Sequence, residues 1–242
     1  DYGWSSGTYC QKVYQGYTTK IEKDVVISTW QSIYKMPRKY FEHFGCVIGD
    51  EAHMFKAKSL TGIMTKLHQC KYRFGLTGTL DGSQTHKLVL EGLFGTAEKV
   101  VSTKELIDKK TLANLKIKCI VLKHPTKKER MDYVEEMDYI VSRESRNKFI
   151  LDLCKNISGN TLCLFQLVEK HGKILHDGMK GGENVYFVYG GTDTEQREKI
   201  RGLVEGHTKS TTIASYGTFS TGINIRNINN IVLASPSKSK IR

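Results

Sequence analysis

Short apolar runs, separated by stretches of helical spacing, constrain the fold of this chain more than any other feature. The runs are VVIST (Val25–Thr29), CVIG (Cys46–Gly49), YRFGLT (Tyr72–Thr77), IKCIVL (Ile117–Leu122), TLCLF (Thr161–Phe165), VYFVY (Val185–Tyr189), TTIAS (Thr211–Ser215) and NIVLAS (Asn230–Ser235). Between many of them lie segments with helical periodicity: Ser59–His68, Glu135–Asn156, Val168–Met179 and Asp193–Glu205. A strand that faces solvent on one side alternates apolar and polar residues; these runs are apolar throughout. They therefore predict strands of parallel sheets with helices on both faces, an α/β architecture. The lysine-rich stretch 103–130, with His124-Pro125, interrupts the rhythm and reads as a solvated connector near a domain boundary. We expect a first domain over residues 1–110 and a second over 111–242, with IKCIVL as the first strand of the second.

Charge narrows the set of partners. Lys and Arg number 37 against 25 Asp and Glu, a formal net charge of +12 in 242 residues. A field of that sign favours a polyanion, most simply nucleic acid, because each neutralised phosphate releases a counterion. The six cysteines form no CxxC pair and no set with zinc spacing, and several sit in the apolar runs, as free thiols of a reducing compartment do. No apolar run approaches the roughly 20 residues needed to cross a bilayer, and no signal-peptide pattern is present, so a soluble cytoplasmic protein without a membrane partner is expected.

CVIGDEAH, residues 46–53, carries the chemistry. Ligands of open parallel sheets gather beyond the carboxyl ends of the strands. A carboxylate there, Asp50, can hold Mg²⁺ through water while the metal bridges nucleotide phosphates. Glu51 points elsewhere and can orient or deprotonate an attacking water. The next strand ends in GLTGT (Gly75–Thr79), a tight turn with two hydroxyls beside the same site. Two aromatic features read as packing or plain surface: Trp30 beside its strand, and Tyr2, Trp4, Tyr9, Tyr14 and Tyr17, which only Lys12 and Lys20 accompany over that stretch.

The ordered set STWQS (Ser28–Ser32), DEAH (Asp50–His53), GLTGT and SYGTFSTGIN (Ser215–Asn224) resembles the superfamily 2 helicases. FGLTGTLDG, VYFVYGGTDTEQREKIR and IASYGTFSTGINIRNINNIVLASPSKSKI are most similar to the phage recombination helicases of that superfamily, over nearly the whole chain. The resemblance implies two RecA-like domains, with ATP and Mg²⁺ as cofactors and DNA, single-stranded and branched duplex, as partner. Single-strand-binding or recombination proteins are further partners it suggests. It gives Asp50 and Glu51 the roles of metal carboxylate and water activator. His53, Thr77 and Thr79 become coupling residues between hydrolysis and domain movement. Ser28, Thr29, Gln31, Phe165, Ser215 and Thr221 fall at nucleic-acid-binding positions, and Gly222 and Asn224 at nucleotide-binding ones. Gly190–Arg197 resembles a glycine-turn-to-helix block with its arginine. Asn224 stands where many relatives carry an aspartate near the ribose, which puts that contact in doubt.

A P-loop, Gly-x4-Gly-Lys-Ser/Thr, is missing: the one Gly-Lys pair, Gly172-Lys173, is followed by Ile174 and has Leu167 where the first glycine belongs. No Gly-Arg pair is present for an arginine-finger motif either. Both domains are therefore expected to be incomplete, and the chain to be an internal segment of an ATP-dependent DNA helicase, inactive as it stands, whose parent unwinds or branch-migrates recombination and replication intermediates. The competing readings are a nucleic-acid-binding module with a degenerate nucleotide site, and a motor segment of a restriction enzyme.

Overall fold

The computed structural model describes residues 5–14, 17–55, 57–78, 84–123, 125, 130–219 and 225–236. The chain divides into two compact units, 1–116 and 117–242.

In the first unit the elements run α1 (Ser6–Tyr9), β1 (Cys10–Val13), β2 (Val25–Ser28), α2 (Trp30–Ile33), α3 (Arg38–Phe41), β3 (Cys46–Gly49), α4 (Lys58–Lys66), β4 (Tyr72–Gly75), α5 (Gln84–Phe94) and α6 (Thr103–Asp108), with a 3₁₀ turn at Ala52–Met54. β1 pairs with β2 and β3 with β4, both in parallel. The core gathers on one side of β3–β4. There α4 presents Leu60, Ile63, Met64 and Leu67, spaced as one helical face, to Phe41 and Phe55. Gly49 and Gly75 are register partners at the ends of β3 and β4. A Cβ at Gly49 would lie 2.9 Å from the Phe55 ring, and one at Gly75 3.0 Å from both Ala52 and the Phe94 ring. Only glycine lets those rings close over the strand ends.

In the second unit α7 (Tyr133–Val141), α8 (Glu144–Asn156), β5 (Asn160–Phe165), α9 (Lys173–Asp177), β6 (Val185–Val188), α10 (Thr194–Gly206), β7 (Ser210–Ser215), α11 (Tyr216–Phe219) and β8 (Asn230–Leu233) form a parallel sheet of order β6-β7-β5-β8 with its helices. β5 and β7 are buried along their whole length; the run LCLF of β5 suits this enclosure, while β7 buries the hydroxyls of Ser210, Thr211 and Thr212. On one face Ile150 and Cys154 of α8 and Leu175 of α9 pack against Cys163, Phe165 and Ile213; on the other, Ile200 of α10 adjoins Leu162, Leu164 and Val188. α7 starts at a capping box, in which Asp132 accepts from the Glu135 amide at 2.9 Å and Glu135 from the Asp132 amide at 3.0 Å. Asp193 caps α10 by accepting the Gln196 amide at 3.0 Å, without a reciprocal bond. At the amino edge of the sheet the fully buried Asn160 donates to the carbonyls of Val204, His207 and Asn227 and accepts from Ser210.

Some expectations are corrected. IKCIVL is not a strand: 117–122 pairs with nothing in the sheet, and Ile117 and Val121 are 80% and 84% exposed. The stretch 135–156 is two helices, broken between Val141 and Glu144, and 168–179 is a π-helical turn (Val168–Gly172) leading into α9. The expectation of cover on both faces fails in the first unit, where Ile48, Tyr72 and Phe74 of β3–β4 are each more than half exposed. No helix among the described residues is long and apolar enough to cross a membrane.

Candidate nucleotide and nucleic-acid sites

β3 delivers Asp50 and Glu51 to the carboxyl edge of its sheet, and the backbone then turns sharply. Leu76 N–H donates to the Gly49 carbonyl at 2.9 Å and Ala52 N–H to the Leu76 carbonyl at 2.8 Å, so the two strand exits are laced together. Glu51, caught between, adopts a left-handed conformation with φ 49° and ψ 48°. Non-glycine residues rarely occupy that region, and those that do concentrate at functional sites. The Asp50 carboxylate accepts the Glu51 amide at 2.9 Å, which fixes its orientation while the side chain stays exposed.

Glu51 and Asp50 thus diverge. The Glu51 carboxylate lies 3.2 Å from Nδ1 of His53, and the same nitrogen lies 3.0 Å from the Thr77 hydroxyl. Nδ1 and the Thr77 hydroxyl form a hydrogen bond whose direction follows the ring tautomer, and the Glu51 carboxylate stands at ion-pair distance from the same nitrogen. The acid, the histidine and the threonine of GLTGT form one contiguous chain, linking the strand ends of β3 and β4. Among the described residues no group of three or more His, Cys, Asp or Glu is placed to hold a metal. Any cation here would rest on Asp50, with water and phosphate oxygens as its other ligands, which is a donor set that suits Mg²⁺.

β1 and β2 leave their sheet side by side, Val13 opposite Ser28. The Ser28 hydroxyl donates to the Val13 carbonyl at 2.6 Å, and the exposed Thr29 hydroxyl pairs with Ser32 at 2.9 Å. Gln31 is exposed on α2. Ser28, Thr29 and Gln31 therefore share one carboxyl edge. Trp30, expected in the core, is 38% exposed and meets Tyr34 edge-on at 5.6 Å.

In the second unit the expected positions behave differently. Phe165, expected at a nucleic-acid surface, is corrected: its side chain is wholly buried and stacks on Phe187 at 5.6 Å, because β5 is enclosed on both faces. Ser215 ends β7 but is nearly buried, with its hydroxyl 2.7 Å from that of Thr218. Arg197 turns inward, donating to the carbonyls of Thr192 (2.8 Å) and Gly190 (3.1 Å), so it braces the turn after β6. Thr79, Thr221, Gly222 and Asn224 lie outside the described residues.

The sequence motifs did not disclose a buried polar network under this edge. His171 is fully buried, with Nδ1 2.9 Å from the Ser235 hydroxyl and Nε2 3.2 Å from Oδ1 of Asn147. Asn147 donates its amide to the Val141 carbonyl, so Oδ1 faces the ring and Nε2 carries the hydrogen. Ser235 in turn accepts from the Gln166 amide at 3.0 Å. Burial, and secondarily the nearby Arg146 charge, push the His171 pKa down to about 4. The network ties the exits of β5 and β8 to α8. The chain EKHG at 169–172 was its only sequence signal, and a lone histidine carries little.

Comparison with known proteins follows the same lines. Residues 4–82 match the family model of the Type III restriction enzyme, res subunit. The chain is 36% identical over 230 residues to the ATP-dependent DNA helicase uvsW of Enterobacteria phage T4, an alignment covering 92% of this chain and 46% of that protein. The chain resembles UvsW, a superfamily 2 helicase. It spans about half the length of that relative. The crystal structure of T4 UvsW also matches, at 30% identity and a TM-score of 0.41 over 98% of this chain and 48% of that one. S. cerevisiae Dbp5 bound to RNA and ADP BeF3 matches with TM-score 0.61 and 13% identity, covering 96% of this chain and 56% of that one. Mycobacterium smegmatis helicase Lhr bound to ssDNA and AMP-PNP gives 0.54 and 16%, covering 86% and 28%. At such identities the last two speak to fold alone, and the fold is the α/β, parallel-sheet fold of RecA-like helicase domains.

Proposed function

We propose that this chain is part of an ATP-dependent DNA helicase of the UvsW type, coupling ATP hydrolysis to unwinding or branch migration of recombination and replication intermediates. The linked set Asp50, Glu51, His53 and Thr77 carries the reading. Two adjacent acids sit at a strand end, and one of them lies 3.2 Å from a histidine that is hydrogen-bonded to the threonine after the next strand. Asp50 would hold Mg²⁺, and the metal would supply neutralisation of the phosphate charge. Glu51 orients the attacking water and takes its proton. His53 holds Glu51 in place and passes its position to Thr77, with Thr79 extending that coupling. Ser28, Thr29 and Gln31 contact the nucleic-acid backbone, joined by Ser215 and Thr221, while Gly222 and Asn224 meet the nucleotide. The 36% identity to UvsW over 92% of the chain supports DNA as the partner, and the parent protein is read as acting in the cytoplasm, with single-strand-binding or recombination proteins at the same DNA.

The test is Glu51→Gln in the intact protein. Glutamine keeps the shape but cannot accept the water's proton. ATP turnover should fall by at least a hundredfold, within the range of general-base catalysis, while binding of a fluorescent nucleotide stays near wild type. Turnover close to wild type would remove Glu51 from the chemistry, whereas an intact wild-type protein without turnover would favour a binding module.

A further inference from the structure

Tyr14 and Tyr17 face solvent, 37% and 52% exposed, at the exit of β1; Trp30, 38% exposed, stands at the exit of β2. Because Val13 and Ser28 are register partners in a parallel pair, both exits open on the same edge, beside the Ser28 and Thr29 hydroxyls. The tyrosines are held in place. Tyr17 N–H donates to the Tyr14 carbonyl at 2.9 Å, and their rings lie 4.5 Å apart at an interplanar angle of 55°. Earlier in β1 the buried Gln11 accepts the Glu22 amide at 2.8 Å and donates to the Lys20 carbonyl. Residues 30–40, which follow β2, hold three basic side chains, Lys35, Arg38 and Lys39, and no acidic one. Lys35 lies 5.5 Å from the centre of the Tyr34 ring, against which Trp30 packs.

Solvent-facing aromatic rings, two of them held against each other, with hydroxyls and a lysine on the same edge, match the combination that grips single-stranded nucleic acid: charge follows the phosphates and ring faces take the bases. A duplex keeps its bases stacked inside, so such rings discriminate for unpaired strands. We propose that Tyr14, Tyr17 and Trp30 form a base-stacking platform that gives the protein its preference for unpaired, base-bearing strands over a bare sugar–phosphate chain. The proposal rests on the nucleic-acid reading above and adds the source of its strand preference.

The experiment measures binding of the intact protein to a labelled oligothymidylate and to an abasic strand of equal phosphate number, at several salt concentrations. Wild type should bind oligothymidylate roughly tenfold more tightly than the abasic strand. Tyr14→Leu/Tyr17→Leu, alone or with Trp30→Leu, should lose most of that preference while binding the abasic strand as before, which also shows that the variant is folded. The salt slope should not change, since no charge is removed, and Tyr14→Phe/Tyr17→Phe should bind as wild type. Equal affinity of wild type for both strands, or a preference that survives in the leucine variants, overturns the platform while leaving phosphate binding intact. Wild-type protein that binds neither strand overturns the nucleic-acid reading itself.

Discussion

The bond between His53 Nδ1 and Thr77 joins two strand ends, with the Glu51 carboxylate 3.2 Å from the same nitrogen. Thr77→Val removes the hydroxyl but preserves shape, so His53 keeps its carboxylate partner and loses its link to β4. We expect ATP binding and basal hydrolysis to change by less than about threefold, while DNA-stimulated hydrolysis and strand separation drop together, a cost of about 1 kcal/mol for one neutral hydrogen bond. Paired assays with and without DNA check this; equal losses in both would make Thr77 a purely structural residue. Gly75 acts differently. Its missing Cβ leaves room for Phe94 and Ala52 at 3.0 Å, and Gly75→Ala should cost about 1–3 kcal/mol by overpacking, read as a lower melting temperature.

Among the elements, the His171 network makes stability depend on pH. A histidine whose folded pKa lies near 4 binds its proton more weakly than in the unfolded chain, where 6.5 applies. Its contribution is therefore complete above pH 6.5 and is lost as pH falls towards 4, by about 3 kcal/mol in all. Denaturant melts at pH 7 and pH 4.5 should show the second unit weakened at the lower value, and His171→Gln should flatten the difference. A pH response of the same size in that variant would assign it to other groups. β5 was legible as the apolar run TLCLF because it is enclosed on both faces. The same enclosure hid where Phe165 points, since β5 offers no alternation to distinguish one face from the other. β1 escaped notice because CQKV is half polar; Gln11 is buried by hydrogen bonds to the Lys20–Glu22 backbone, which a hydropathy pattern does not encode. IKCIVL misled for the opposite reason: its residues suit a strand, but without a neighbour to complete the ladder it stays extended and exposed. DEAH and the start of GLTGT were legible as lying at strand ends, the places where this fold exposes chemistry; the left-handed Glu51 and the inward turn of Arg197 depend on backbone geometry and were not.

Taken whole, the molecule carries +12, and its attraction to DNA should be largely independent of base sequence. A footprint of about five phosphates gives a slope near −3.5 for log affinity against log salt on single strands, at ~0.7 per phosphate. Thr29→Val should weaken binding by about 1 kcal/mol at every salt and leave that slope unchanged, because a hydroxyl is lost and no counterion is involved. Replacing a lysine that touches phosphate should flatten it by slightly less than one. Titrations over a range of salt separate the two; a Thr29→Val protein indistinguishable from wild type would take that edge out of the DNA path.

The left-handed backbone at Glu51 has a consequence for how such a protein can be improved or degraded. Asparagine tolerates that region far better than glutamate, so Glu51→Asn should melt slightly higher than wild type while losing hydrolysis. Selection for heat resistance alone would then erode the acid, and only continued demand for turnover would hold it there. A library randomised at position 51 and sorted first for thermal survival, then for ATP hydrolysis, should return opposite winners from the two rounds.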